Sequence, residues 1–171
     1  MTARLRTGAV GLVLLAALAA GCSGAGDTKN GAPAADPAAG AVEGARTYMS
    51  AVVADDWVTA CGLTVAVERG QCRSFHPTPE PSDPSGPAIG PVLIDRPAVQ
   101  VPATSRYPAG WGVMTTHTVT WPGKPARTSF VALRMTRESG GWWVAQSEDV
   151  ADSDLTAPVD AVLAALSRRV G

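Results

Sequence analysis

Charged residues, histidines and cysteines are all scarce in this chain of 171 residues. Charged side chains make up 17% of it and nearly cancel to a formal net charge of −1, so no long-range attraction for nucleic acid is expected. Two histidines and three cysteines leave few ligands for a metal centre. The sequence also lacks a G-x-S-x-G elbow, an H-E-x-x-H pair and a phosphate-binding loop. We therefore expect no nucleic-acid partner, no metal and no other cofactor.

A long hydrophobic run is also missing. The apolar stretch from Gly8 to Ala20 is shorter than the roughly 20 apolar residues that a helix needs to cross a bilayer. Arg4 and Arg6 precede this stretch, and the small residue Gly21 follows it. A charged start, a short apolar run and a small-residue exit are typical of an export signal. The sequence therefore predicts a signal peptide over residues 1–21.

The end of this signal, Leu18-Ala19-Ala20-Gly21-Cys22, resembles the lipobox of bacterial lipoproteins. In that family a diacylglyceryl group is joined to the cysteine thiol, and cleavage makes the cysteine the first residue. The resemblance implies that Cys22 is lipidated and that the chain is anchored at the outer face of the cytoplasmic membrane. Two acyl chains are enough for stable attachment. The alternative is an ordinary secretory signal in which Cys22 carries no lipid.

Cys61 and Cys72 remain once Cys22 is assigned to the anchor. An exported protein lies in an oxidising compartment, which favours a disulfide between them. The closed loop of about 11 residues would contribute roughly 3 kcal/mol to the free energy of unfolding in the chain-entropy model. A metal-binding pair and a free reactive thiol are the alternatives.

The exported part divides into a tether and a single domain over residues 42–171. Residues 22–41 contain no large apolar side chain, which predicts a disordered tether. Residues 73–91 contain six prolines, and proline lacks the N–H that helices and sheets require. This second segment is therefore predicted to be an irregular loop within the domain.

Apolar residues recur every three or four positions after the tether, which predicts two helices over residues 42–54 and 56–67. Asp55 or Asp56 can cap the second helix. Gly70 is predicted to end it, before the chain folds back to Cys72.

Beyond residue 91 the apolar period changes to two, which predicts strands. The four predicted strands cover residues 92–101, 111–121, 127–137 and 142–147. Short turns join the last three, so we expect an antiparallel meander. A final helix is predicted after Thr156, with Thr156 as its cap and Pro158 in its first turn.

Helices followed by an antiparallel sheet, with the segment YMSAVVADDWVTAC over residues 48–61, resemble the NTF2-like (cystatin-like) α+β fold. The helix, Asp-Asp-Trp, helix, Cys, loop, Cys order is also similar to small secreted lipoproteins of high-GC Gram-positive bacteria. The resemblance covers residues 42–150 and implies helices packed on a curved antiparallel sheet that forms a cone. The C-terminal helix is an addition to that pattern.

Enzymes of that superfamily place acidic residues, Tyr or His inside the cone, so the resemblance implies Tyr48, Asp95 and His117 as candidates. His117 lies on the apolar face of its predicted strand, where burial would lower its pKa and suit it to act as a base. The alternative is a histidine that is hydrogen-bonded within the core or at the sheet surface. A small apolar ligand would be lined by Tyr48, Trp111, His117 and Trp121.

Because no catalytic motif is present, the sequence favours a non-catalytic, membrane-anchored extracytoplasmic domain that contacts an envelope protein. A cone that binds a small apolar molecule is the first alternative. An enzyme that uses His117 or Asp95 is the second alternative. Fold-level resemblance alone does not decide among them, because such folds carry many unrelated functions.

Overall fold

The computed structural model describes residues 36–76, 85–94, 96–157 and 159–168. The predicted signal peptide and Cys22 lie outside the described residues, as do Asp95, Pro158 and the larger part of the tether. Residues 77–84 of the proline-rich loop lie outside them too. Among the described residues, none of the helices combines the length and the apolar character needed to cross a bilayer.

Three helices begin the described domain: α1 (Pro37–Val53), α2 (Trp57–Gly62) and α3 (Ala66–Phe75). Asp36 caps α1, because its carboxylate accepts a hydrogen bond of 2.9 Å from the Ala38 N–H. Asp56 caps α2 in the same way, accepting a 3.0 Å hydrogen bond from the Thr59 N–H. The prediction of an acidic cap between the first two helices is thus confirmed.

Two helix boundaries differ from the prediction. The tether was expected to reach residue 41, but α1 begins at Pro37, because Asp36 supplies the cap and proline suits a first helical position. The second helix was expected over residues 56–67 with Gly70 at its end, but α2 ends at Gly62 and a separate helix, α3, begins at Ala66 and contains Gly70. One glycine inside a helix costs only about 1 kcal/mol, which a helix of ten residues can tolerate. Residues 73–75 are therefore helical and do not belong to the proline-rich loop.

The sheet has five strands: β1 (Ala88–Ile89), β2 (Val99–Val101), β3 (Gly110–Thr120), β4 (Arg127–Glu138) and β5 (Gly141–Asp149). All its strand pairs are antiparallel, and β3, β4 and β5 follow one another as the predicted meander. Strand β1 lies within the segment 73–91 that was predicted to be an irregular loop, and it pairs with the end of β3. The sheet is curled into a half-barrel. Residues 92–101 do not form one strand, because only β2 and a single bridge from Leu93 to Thr116 pair there. Pro97 lies between these two pairings and cannot donate to a ladder.

Two short helices end the described chain: α4 (Asp152–Leu155) and α5 (Ala161–Ser167). Thr156 was expected to cap a single helix, but it follows the end of α4. The cap of α5 is Asp160, which accepts a 2.9 Å hydrogen bond from the Val162 N–H. A carboxylate at this position is a stronger cap than a threonine four residues too early.

The two faces of the sheet are covered by different helices. Val113, Leu133 and Met135 face α1 and α2, where they form one apolar cluster with Ala45 and Met49. Alternate strand residues point the other way and form a second cluster with α5, which comprises Val101, Met114, Ala132, Val162, Ala165 and Leu166. This division matches the predicted alternation of β3 and β4, because successive strand residues point to opposite faces.

Glycines allow α1 to lie very close to the sheet. A Cβ atom added to Gly44 would stand 2.8 Å from the Trp142 Cβ atom and 3.1 Å from the Met135 Cε atom. Gly40, one turn earlier, also lies directly against the Trp142 ring. Ala41 and Ala45 on the same helix are fully buried. The space beneath α1 is therefore filled by side chains in direct contact.

Candidate functional site

Cys61 and Cys72 are joined in the structure, which links α2 to α3 with a Cα–Cα distance of 5.5 Å. The connection between these helices also pairs with the sheet: the Val65 N–H donates to the Val144 carbonyl at 2.9 Å, and the Val144 N–H donates to the Leu63 carbonyl at 2.9 Å. This pairing covers part of the edge strand β5, which would otherwise present unpaired backbone groups. The pairing of the two cysteines agrees with the predicted disulfide.

Tyr48 lies on the buried side of α1 with only 8% of its surface exposed. A side-chain hydrogen bond with Ser147 holds its hydroxyl group. Burial raises the pKa of Tyr48 above its ordinary value, and the Ser147 hydrogen bond opposes part of that rise. Tyr48 also lines a surface pocket of about 230 Å³, together with Glu68, Phe75 and Gln146 among others.

The other candidate cavity residues lie along β3. Trp111 is half-buried, packs against the α1 cluster and lines a pocket beside β2. His117 is half-buried opposite Ser129 of β4, and its Nδ1 atom has no hydrogen-bond partner among the described residues. Trp121 is 53% exposed and lines a pocket with Pro122, Lys124 and Arg127. Tyr48, Trp111 and Trp121 thus line three different pockets, and the structure does not bring these three residues together.

A buried cation on the opposite face of the sheet is the site residue that the sequence analysis missed. Arg134 lies in the middle of β4 and is 0% exposed. Its Nη1 atom donates to the carbonyl oxygens of Pro102 at 2.7 Å and Pro108 at 3.1 Å. Its Nη2 atom is buried and has no partner among the described residues. Burying a charge costs free energy unless the charge is paired or hydrogen-bonded, so the contacts of Arg134 determine whether the fold can hold it.

The remaining guanidinium nitrogen, Nε, is hydrogen-bonded to the side chain of Gln146 on β5. The Oε1 atom of Gln146 accepts a 3.0 Å hydrogen bond from Arg134 Nε. The amide nitrogen of Gln146 donates to the Glu148 carboxylate at 3.1 Å and to the Leu166 carbonyl at 3.2 Å. The register of β4 against β5 shifts here, because Arg134 pairs with Gln146 whereas Met135 pairs with Val144. The extra residue, Ala145, is a β-bulge that turns Gln146 towards α5. Without the bulge, Gln146 would share the α1 face with Val144.

A pocket of about 630 Å³ opens beside Gln146 at the surface. The loop between β2 and β3 forms one side of it, and the end of α5 forms the other. Its lining comprises Thr104, Ser105, Arg106, Tyr107, Gln146, Leu166, Ser167 and Arg168. The same loop carries the two proline carbonyls that bind Arg134, which is itself fully buried and does not line the pocket. We call Arg134, Gln146, Tyr107, Arg106 and Arg168 the arginine cluster.

Two of the three arginines in this cluster form ion pairs with carboxylates, and the third, Arg134, has none in the part of the chain that the structure describes. Arg106 is paired with Glu68 at 3.5 Å, and Arg168 is paired with Asp154 at 3.2 Å. Among the described residues, no carboxylate lies within ion-pair distance of Arg134. Desolvation lowers the pKa of Arg134 from its ordinary value, and desolvation raises the pKa of Tyr107. The guanidinium carbon of Arg134 lies 5.9 Å from the centre of the Tyr107 ring, which offers it a weak cation–π contact.

One signal in the sequence could have revealed this site. Arg134 lies two and four residues beyond Ala132 and Phe130, so in a strand over residues 127–137 the three side chains point to the same face. A charged residue is rare at a strand position whose side chain points into the core, unless that charge is paired or functional. The β-bulge at Ala145, however, has no clear mark in the sequence, so the position of Gln146 could not be predicted.

Among the residues that the structure describes, no group of three or more His, Cys, Asp or Glu side chains is placed to hold a metal ion. Comparisons with protein-family models, with curated protein sequences and with solved structures give no match to this chain.

Proposed function

We propose that this chain is a membrane-anchored extracytoplasmic lipoprotein with a non-catalytic domain that contacts an envelope protein. Cys22 would carry the diacylglyceryl group, and residues 22–35 would connect it to the domain. The support for the anchor is the sequence pattern of a charged start, a short apolar run and a lipobox-like end. The pairing of Cys61 with Cys72 is compatible with an oxidising, exported location.

We also propose that the domain is a member of the NTF2-like α+β class. The mixed α+β architecture, the curled antiparallel sheet and the position of α1 on one face of it support this assignment. The C-terminal helix α5 on the opposite face distinguishes the chain from the pattern that the resemblance implies. This assignment concerns the fold and carries no activity with it.

The filled interior is the observation that carries the non-catalytic proposal. Met49, Val113, Leu133 and Met135 are each at most 2% exposed where an open cone would hold a ligand. The first alternative, a small apolar ligand held between Trp111, Trp121 and α1, gains no support from this packing. For the second alternative, an enzyme, His117 has no described acidic partner in hydrogen-bond contact.

Exposed apolar side chains support contact with another protein. Val67 and Phe75 of α3 are 83% and 69% exposed, and they lie two helical i, i+4 steps apart, so they share one face. Val58 of α2 is also largely exposed. Apolar groups that stay in water are the usual mark of a protein contact surface when they lie together. We expect the partner to be an envelope protein because the proposed anchor holds the domain at the membrane.

The anchor is tested by fractionating cells that express the full-length chain or its Cys22→Ala variant. We expect the unaltered chain in the membrane fraction and the variant in the soluble fraction, because the loss of two acyl chains removes the membrane attachment. The double variant Cys61→Ala/Cys72→Ala is the matched control, and it should remain in the membrane fraction. A Cys22→Ala chain that stays with the membranes would contradict the proposal.

A further inference from the structure

The outer side of strand β5 is only partly covered. β5 is an edge strand of the sheet, and the connection between α2 and α3 pairs with it at Val144 alone. From Ala145 to Asp149, no further strand among the described residues pairs with this side. An edge with unpaired backbone groups can accept an additional strand from another chain.

The alternation of the ladder identifies the backbone groups that face outwards. Residues of an antiparallel edge strand alternate between bonding the neighbouring strand and facing away from it. The Val150 N–H donates to the Phe130 carbonyl of β4 at 2.9 Å, so one residue before it, Asp149, and then Ser147 direct their backbone groups away from β4. Both residues are exposed. Arg168 donates to the Asp149 carbonyl, which leaves the N–H and carbonyl of Ser147 and the Asp149 N–H without a partner in the part of the chain that the structure describes.

A pocket of about 230 Å³ opens beside these outward groups. Residues 144–147 form one side of it, and Glu68, Gln71 and Phe75 of α3 lie in the same lining. No residue of α3 is buried, and Phe75 is 69% exposed, so this helix presents an apolar ring next to unpaired backbone. An extended segment that pairs with Ser147 therefore has an apolar contact for one of its side chains.

The charge beside this edge favours a basic segment. Glu148, Asp149 and Asp152 have no cation within ion-pair distance among the described residues. Arg106 and Arg168 lie near the same edge, but each is already paired with another acidic residue. The surplus charge is therefore negative. A second copy of this chain, pairing through its own β5, would bring the same carboxylates together, and like charges at an interface disfavour association.

We propose that an extended, basic segment of the envelope partner adds to the outer edge of β5 as a further strand. This inference rests on the proposed contact with an envelope protein and states how that contact is made. Ser147 exchanges two backbone hydrogen bonds with the segment, and the Asp149 N–H donates a third. A lysine or arginine of the segment pairs with Asp149 or Asp152, and an apolar side chain rests against Phe75. The open edge spans roughly 16 Å at about 3.3 Å per residue, which suits a segment of about five residues.

The test is NMR-detected amide hydrogen exchange of the mature chain in neutral detergent, with the capped peptide acetyl-KVKVKVK-amide as the probe. Without peptide, the amides of Ser147 and Asp149 should exchange faster than that of Glu148, which faces β4. Saturating peptide should slow both by at least tenfold, whereas acetyl-EVEVEVE-amide should protect neither. The proposal is overturned if the basic peptide protects neither amide, or if the acidic peptide protects them equally. Protection that rises with protein concentration alone would assign the edge to a second copy and would also overturn it.

A proline variant separates backbone pairing from a general attraction of positive charge. Ser147→Pro removes an outward N–H and no hydrogen bond to β4, so an edge strand tolerates it, and affinity for the basic peptide should fall by about tenfold. Ser147→Ala is the matched control, because it removes the hydroxyl that bonds with Tyr48 but keeps the N–H. Equal affinities of the two variants would contradict strand addition. A basic peptide that is N-methylated throughout tests the same hydrogen bonds without altering the chain, and undiminished binding of it would contradict strand addition too.

The Cys22→Ala chain distinguishes this inference from the proposed anchor. It should bind the basic peptide with unchanged affinity, because the pairing involves β5 and not the lipid. A chain that binds the peptide but never associates with membranes would refute the anchor alone. A membrane-bound chain whose Ser147 and Asp149 amides gain no protection from the peptide would overturn strand addition alone.

Discussion

Tyr48 illustrates how the surroundings of one residue determine its role. The resemblance implied that Tyr48 lines an open cone, but its ring is packed beneath α1 and its hydroxyl is held by Ser147. Burial disfavours the charged phenolate, so the pKa of Tyr48 in the folded protein lies above the ordinary value of 10.0. The buried, neutral phenol of Tyr48 therefore stabilises the domain fully at pH values below the ordinary pKa. This stabilisation is lost as the pH rises through the raised pKa that Tyr48 has in the folded protein.

A titration of tyrosinate absorbance tests the burial of Tyr48. The chain has two tyrosines, so the Tyr107→Phe variant leaves Tyr48 as the single reporter. We expect the midpoint of the folded variant to lie above that of the same variant unfolded in urea. Circular dichroism at each pH verifies that the variant is still folded. Coincident midpoints in the folded and unfolded variant would show that the phenol is not desolvated.

Arg134 shows at the same scale why a candidate residue escaped prediction from the sequence. Its parity in β4 could be read from the alternation of Phe130 and Ala132, which the structure confirms as the α5 face. Its partners could not be read, because Pro102, Pro108 and Gln146 are separated from it by 32, 26 and 12 residues. The contacts that define the arginine cluster are therefore products of the tertiary fold.

At the scale of elements, hydrophobic periodicity predicted the long strands better than the helix ends. In strands β3 and β4, successive residues join different apolar clusters, one with α1 and the other with α5. The predicted second helix over residues 56–67 was wrong, because the helical path is interrupted between α2 and α3, and Gly70, with nothing within 4 Å of an added Cβ atom, does not end α3. The start of α1 was also wrong, because residues 37–41 are small and carry no apolar period, although Ala41 is buried.

Two glycines in different helices give a matched test of how closely α1 packs on the sheet. Gly44→Ala should lower the free energy of unfolding by about 1–3 kcal/mol, because its methyl group would overlap Trp142 and Met135. Gly70→Ala should raise it by about 0.5–1 kcal/mol, because nothing lies within 4 Å and alanine favours the helix. Urea denaturation measures both values. Equal stabilisation by the two substitutions would mean that α1 does not contact Trp142 closely.

At the scale of the whole molecule, the described domain is packed on both faces of its sheet, and its location outside the cytoplasm is our proposal. The structure describes a sheet covered on both faces, with α1 and α2 on one side and α5 on the other. The meander and the cysteine pairing could be predicted because they depend on local turns and on the count of cysteines. The position of α5 could not, since a seven-residue helix contains too few residues to reveal which face of a sheet it covers.

Mass spectrometry of the mature N-terminus is the decisive test of the proposal that a lipid on Cys22 holds this domain outside the cytoplasm. We expect a chain that begins at Cys22 and carries the mass of a diacylglyceryl group on the thiol. A chain that retains residues 1–21, or one that begins at or near Cys22 with an unmodified thiol, would contradict it.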